Sequence, residues 1–155
     1  MKAHWKQLLI FLAIPLAAGG LATLLSGGMG EYQVMNQPPL SPPGWLFPIV
    51  WTILYLLMGY SSYRVYLSGK PPILIQRALR FYFAQLALNF LWPLVFFGLG
   101  WYLVAFFILV ALWILIFLTL KTFSDIDEVS GDLLIPYLLW VTFAGYLNLS
   151  AYFLN

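Results

Sequence analysis

The sequence predicts an all-α membrane protein, a bundle of five transmembrane helices, from three observations. Five segments carry roughly 20 apolar residues each, enough at ~1.5 Å per residue to cross ~30 Å of hydrocarbon. Of the 155 residues, 63% are hydrophobic and 8% charged, far from the balance of a water-soluble domain. All seven basic residues fall on one side of a five-span arrangement. The spans are 7–26, 45–67, 78–97, 101–122 and 133–154, joined by a loop at 27–44 and shorter connections. One domain, 1–155, accounts for the chain.

The first span follows Lys2 and Lys6, a pattern shared with secretory signals. Its length favours a retained helix, while Ala17-Ala18-Gly19-Gly20 keeps a cleavage reading open. Ala18, Ala22 and Ser26 lie four apart and predict a close-packing stripe, for the bundle or for a second chain. His4, the one histidine, reads as solvated or interfacial.

The loop at 27–44 is the longest connection and is rich in Gly, Pro, Asn and Gln. Tyr32, Met35 and Leu40 among its prolines predict a packed lid. Span two then places Phe47, Trp51 and Tyr55 at i, i+4 spacing on one face. Arg64, Lys70, Arg77 and Arg80 flank the second loop. Gln85, Asn89 and Trp92 share a face of span three beside Pro93.

Gly98 to Gly100 is a tight hairpin, which makes spans three and four antiparallel neighbours. Lys121 and the acidic residues Asp125, Asp127, Glu128 and Asp132 occupy the fourth connection. In span five Trp140, Ala144 and Asn148 share a face, and the small Ala144 leaves a gap at the indole. Amides within lipid turn inward, so Asn89 and Asn148 mark interior faces. Interhelical glue and a binding site explain them equally well. Pro15, Pro48, Pro93 and Pro136 lie within or near the start of a span, where an interior proline kinks the helix and can open a cavity.

Several functions are disfavoured by what these spans lack. No ionisable side chain lies near the middle of a span, which argues against ion-coupled transport. With no cysteine there is no disulfide or thiolate chemistry, and no metal-ligand cluster is readable. A net charge of +2 gives no sign of nucleic-acid binding. The aromatics remain. Trp5, Trp45 and Trp101 suit the headgroup level, whereas Trp51, Trp92, Trp113 and Trp140 lie deeper, where each indole N–H needs an acceptor.

Three stretches, QPPLSPPGWLFPIVWTILYLLMGYSSYRV (37–65), AQLALNFLWPLVFFG (84–98) and PYLLWVTFAGYLNLSAYFLN (136–155), resemble the TspO/MBR family of tryptophan-rich sensory proteins, related to the mitochondrial translocator protein. The resemblance implies five transmembrane helices, often in a homodimer within the lipid bilayer. It implies a pocket beneath loop one for tetrapyrroles such as protoporphyrin IX or haem, and for benzodiazepine-type and isoquinoline ligands. The matching positions are Tyr32, Pro42, Phe47, Trp51, Tyr55, Asn89, Trp92, Trp140, Ala144 and Leu147.

A porphyrin would be a ligand there, not an obligatory cofactor. Light-dependent porphyrin degradation, which the resemblance allows, would involve Trp51 and Trp140; tetrapyrrole transport is the third expectation. Where the family often has Trp-Tyr in loop one, this chain has Glu31-Tyr32. Tyr152 is followed by Phe153-Leu154-Asn155 without a basic residue, so the animal proteins' proposed cholesterol motif is not matched. The basic residues place the N-terminus in the cytoplasm, in what the resemblance makes a bacterial cell membrane.

Overall fold

The computed structural model describes residues 4–27 and 35–155. Its helices are α1 (Trp5–Ser26), α2 (Leu46–Tyr66), α3 (Pro72–Pro93, continued by a π-helical turn over Leu94–Leu99), α4 (Tyr102–Ile126), the short α5 (Glu128–Asp132) and α6 (Ile135–Leu154). Among the described residues, five helical segments are long and apolar enough to cross a membrane. The predicted fold class is therefore the observed one.

Two span boundaries differ from expectation for local reasons. Helix α3 begins at Pro72, not at 78, because a proline in the first turn gives up only an N–H that has no helical partner. Arg77 and Arg80 consequently ride on the helix itself. Helix α4 runs to Ile126, not 122, carrying Lys121 and Asp125 with it. It stops where Asp127 turns extended, and the Asp127 carboxylate caps α5 by accepting from the Ser130 N–H at 3.3 Å and the Ser130 hydroxyl at 2.6 Å.

The prolines divide by position. Pro48 and Pro136 sit in the first turns of α2 and α6, where they cost no helical hydrogen bond. Pro93 sits inside the third span near its C-terminal end, and the backbone responds by widening into the π turn that follows. Gly100, at φ 67°, then reverses the chain in the left-handed region, so α3 and α4 pack as antiparallel neighbours.

Helix α1 packs on α2, α3 on α4, and α4 on α6. The buried stripe of α1 is Pro15, Gly19, Ala22 and Ser26. Spacing of four, three and four tracks the 3.6-residue turn better than 18, 22 and 26 do, so Ala18 falls half-buried at the edge. Opposite it, α2 contributes Gly59, where a Cβ would lie 2.6 Å from the Phe11 carbonyl oxygen. That glycine lets the two backbones touch.

At the loop end of α2, Arg64 grips Asp127 with Nε at 2.7 Å from Oδ2 and a second nitrogen 3.3 Å from Oδ1. Ser61 Oγ donates to the Ser130 carbonyl at 2.6 Å. These bonds fasten α2 to the α4–α6 connection. Between α2 and the body of α6 the backbones stay apart, and rings bridge the gap: Phe47 meets Trp140 at 5.8 Å and Trp51 meets Tyr137 at 6.3 Å between centroids, both edge to face.

Candidate intramembrane binding site

The aromatic face of α2 forms the centre of the site. Phe47, Trp51 and Tyr55 follow one another at single-turn spacing, and Trp51 stacks on Tyr55 at 5.7 Å and 30°. From α3 come Asn89 and Trp92, with Phe97 from the π turn. From α6 come Trp140, Ala144, Leu147 and Asn148. The spacing arguments thus bring together the residues they selected except Gln85, which lines neither space and is buried against Met58.

Two spaces meet at this face. Beneath the lid lies a cavity of about 30 Å³, bounded by Met35, Pro38, Ser41, Trp140, Ala144 and Leu147. That is room for about two waters. Beside it a chamber of about 260 Å³ opens between α1, α2 and α3, edged by Leu16, Gly19, Thr23, Thr52, Tyr55 and Asn89. Phe47, Trp51, Trp92 and Phe97 border both. The expected residues are therefore divided: Tyr55 and Asn89 border the larger space alone, Trp140, Ala144 and Leu147 the smaller, and two tryptophans form the shared partition.

Of the lid residues expected at the site, Tyr32 lies outside the described residues, as does Glu31. Pro42 is not among the residues lining either space, and Pro38 and Ser41 form that part of the roof. Met35 packs against the cluster of Val95, Phe96, Ala105 and Ala151, as a lid residue should. Leu40 does not pack: it is 83% exposed at a φ of 70°.

The lid is held at its far end by the C-terminal residues. Asn36 donates its N–H to Asn155 Oδ1 at 3.0 Å and its side-chain amide to the Leu154 carbonyl at 3.1 Å. Asn155 returns a bond to the Asn36 carbonyl at 3.0 Å, and Tyr146 Oη donates to the Pro39 carbonyl at 2.7 Å.

Hydrogen bonding separates the roles of the tryptophans and amides. Trp92 Nε1 donates to Asn148 Oδ1 at 2.8 Å, and Asn148 Nδ2 donates to the Tyr102 carbonyl at 2.8 Å. Asn148 thus joins three helical segments while also bordering the lid cavity. Asn89 borders the chamber and bonds Tyr55 and Tyr137. Trp113 lies elsewhere, in a membrane-facing groove, with its N–H on Thr142 Oγ1 at 2.8 Å. The Trp140 indole N–H is buried without a partner among the described residues, at the edge of the lid cavity. Trp5, Trp45 and Trp101 are each more than half exposed, as headgroup anchors would be.

The α1 wall was not anticipated. Its signal in the sequence was Gly19: a Cβ there would run into the Tyr55 ring, so the absence of a side chain gives that ring its place at the chamber edge. No group of three His, Cys, Asp or Glu suited to a metal occurs among the described residues.

The architecture defines a class: a five-helix integral membrane protein with an aromatic-walled cavity inside the bundle. The chain belongs to the TspO/MBR family, whose model matches residues 11–154. It is 39% identical to the tryptophan-rich sensory protein of Cereibacter sphaeroides across 100% of this chain and 95% of that protein. It is 39% identical to Protein CrtK of Rhodobacter capsulatus across 89% of this chain and 86% of the relative. With the translocator protein of Bos taurus it shares 34% identity, across 96% and 89%.

Proposed function

We propose that this membrane protein is a receptor that binds tetrapyrroles, such as protoporphyrin IX or haem, or another flat apolar molecule of the benzodiazepine or isoquinoline kind. The observation that supports this reading best is the pair Trp51 and Trp92, which border both the lid cavity and the chamber. Indole faces supply flat, polarizable area to a planar ligand. At about 30 Å³ the lid cavity does not admit a macrocycle as it stands, so occupancy there requires the lid to lift or the partition to turn. The chamber receives the ligand first.

The test is titration of purified protein with protoporphyrin IX, read by tryptophan fluorescence. Saturable quenching is expected, with affinity at least tenfold weaker in a Trp51→Phe, Trp140→Phe double variant. Absence of quenching, or equal quenching in the variant, rules the reading out.

A second reading is light-driven porphyrin degradation. It is favoured by Trp51 and Trp140 bordering the same lid cavity, which would set two oxidisable indoles against one excited ligand. Illumination of the complex should bleach the porphyrin bands in wild type but not in the double variant. Passive tetrapyrrole transport is the third, checked by uptake into liposomes against empty vesicles.

The same reading carries a homodimer and a bacterial cell membrane with the N-terminus cytoplasmic. Because the natural chain has no cysteine, single cysteines at Ser68 and Asn155 report the topology directly. An impermeant maleimide added to intact cells should label the second and spare the first.

A further inference from the structure

Four hydroxyl side chains border the chamber, and each already spends its proton on the protein. Thr23 Oγ1 donates to the Gly19 carbonyl at 3.0 Å, Ser26 Oγ to the Thr23 carbonyl at 3.2 Å, and Thr52 Oγ1 to the Pro48 carbonyl at 2.6 Å. Tyr55 Oη donates to Asn89 Oδ1 at 3.0 Å. A hydroxyl has one proton and two lone pairs, so what remains for a ligand at each position is an acceptor. The Trp92 N–H is likewise spent, on Asn148. Among the described residues, only the Trp51 indole and the second amide hydrogen of Asn89 remain as donors on this wall.

An amide can present either end to a tyrosine, so something must fix the orientation of Asn89. The cause lies deeper in the bundle. Asn89 Nδ2 donates to Tyr137 Oη at 2.6 Å, and Tyr137 Oη donates to Gln85 Oε1 at 2.6 Å. Gln85 Nε2 then reaches Met58 Sδ at 3.9 Å. A thioether only accepts. Gln85 must therefore turn its nitrogen to Met58 and its oxygen to Tyr137. The Tyr137 proton goes to Gln85, its oxygen accepts from Asn89, and the Asn89 oxygen is left for Tyr55. Met58, Gln85 and Tyr137 are all buried, so bulk water supplies no alternative.

We propose that Tyr137, which borders neither space, is a positioning residue that keeps the chamber acceptor-lined, so that the chamber selects apolar molecules bearing an N–H or O–H donor over equal-shaped molecules bearing only acceptors. This rests on the reading of the chamber as a ligand site. Without Tyr137 Oη nothing fixes the Asn89 amide, and whenever it presents its nitrogen to Tyr55 the Tyr55 proton is released to the chamber. The wall loses its fixed polarity with no change of shape.

The experiment compares 2-naphthol with 2-methoxynaphthalene on full-length protein in nanodiscs, with empty nanodiscs subtracting lipid partition. One hydrogen bond of about 1.4 kcal/mol corresponds to a tenfold preference, and wild type is expected to favour 2-naphthol by about that factor. Tyr137→Phe should weaken 2-naphthol and tighten 2-methoxynaphthalene, taking the ratio down toward one. Tyr82→Phe, which removes a buried hydroxyl outside this chain of bonds, should keep the wild-type ratio. Met58→Leu, a near-isosteric change that removes the acceptor at the buried end, should lower the ratio as well and serves if Tyr137→Phe does not fold.

A merely structural tyrosine would weaken both probes alike, and that result overturns the proposal, as does equal binding of the two probes to wild type. If protoporphyrin IX binds but the probe ratio is flat, the polarity proposal alone falls. If neither probe nor porphyrin binds, the ligand-site reading falls with it.

Discussion

The Trp92 indole donates to the Asn148 side-chain oxygen across 2.8 Å, joining α3 to α6 at the border of the lid cavity. Asn148 uses its nitrogen on the Tyr102 carbonyl, so one buried amide holds an indole in place and secures the start of α4. Removing it strands the Trp92 indole N–H in an apolar interior.

Asn148→Ala should therefore destabilise the bundle. Two intramembrane hydrogen bonds at roughly 0.6–1.7 kcal/mol each put the loss at about 1–3 kcal/mol. Thermal unfolding in detergent measures it, and an unchanged midpoint would show that neither bond contributes.

The α1–α2 contact makes a sharper contrast. Gly59→Ala places a methyl 2.6 Å from the Phe11 carbonyl oxygen, a backbone atom that cannot step aside without moving the helix. Overpacking of that kind costs about 1–3 kcal/mol. Gly20→Ala meets nothing within 4 Å and gains helix propensity, so it should be neutral or stabilising. Equal midpoints for the two variants would contradict the packing described.

At the α2–α5 clamp, the Arg64 guanidinium beside Asp127 holds its carboxyl below the ordinary carboxylate range, with Ser130 adding to the effect against some desolvation. A depressed native value means stability that is present above about pH 4, the unfolded value, and is lost as pH falls through the native one. The pair is partly exposed, so the contribution is about 1 kcal/mol or less. Acid unfolding of Asp127→Asn should begin from a lower plateau and show a shallower fall than wild type.

The lid latch predicts a local effect without a global one. Asn36→Ala removes the side-chain bond to Leu154 but leaves the helices untouched. At about 1 kcal/mol, hydrogen exchange over 35–41 should quicken roughly five-fold, while the unfolding midpoint stays put. Slower or unchanged exchange would mean that the lid is held elsewhere.

How much of this was legible depends on the kind of interaction. Hydropathy fixes spans because bilayer thickness sets a length, and i, i+4 spacing fixes which side chains share a face; both were readable for Phe47, Trp51 and Tyr55. Helix ends were read less well. Pro72 was readable as a first-turn residue, yet the charge on Arg77 and Arg80 drew the boundary inward. The chamber wall on α1 was missed because Gly19 contributes by having no side chain, which hydropathy does not register. The direction of the bonds from Met58 to Tyr55 depends on five side chains from three helices meeting, and no single segment carries it.

The partition has one further consequence. Since Trp51 and Trp92 are wall to two rooms at once, the rooms cannot be filled independently. A guest that pushes the indoles one way enlarges its own compartment at the expense of its neighbour. Two molecules that never touch would then behave as competitors, each raising the other's dissociation constant by the same factor.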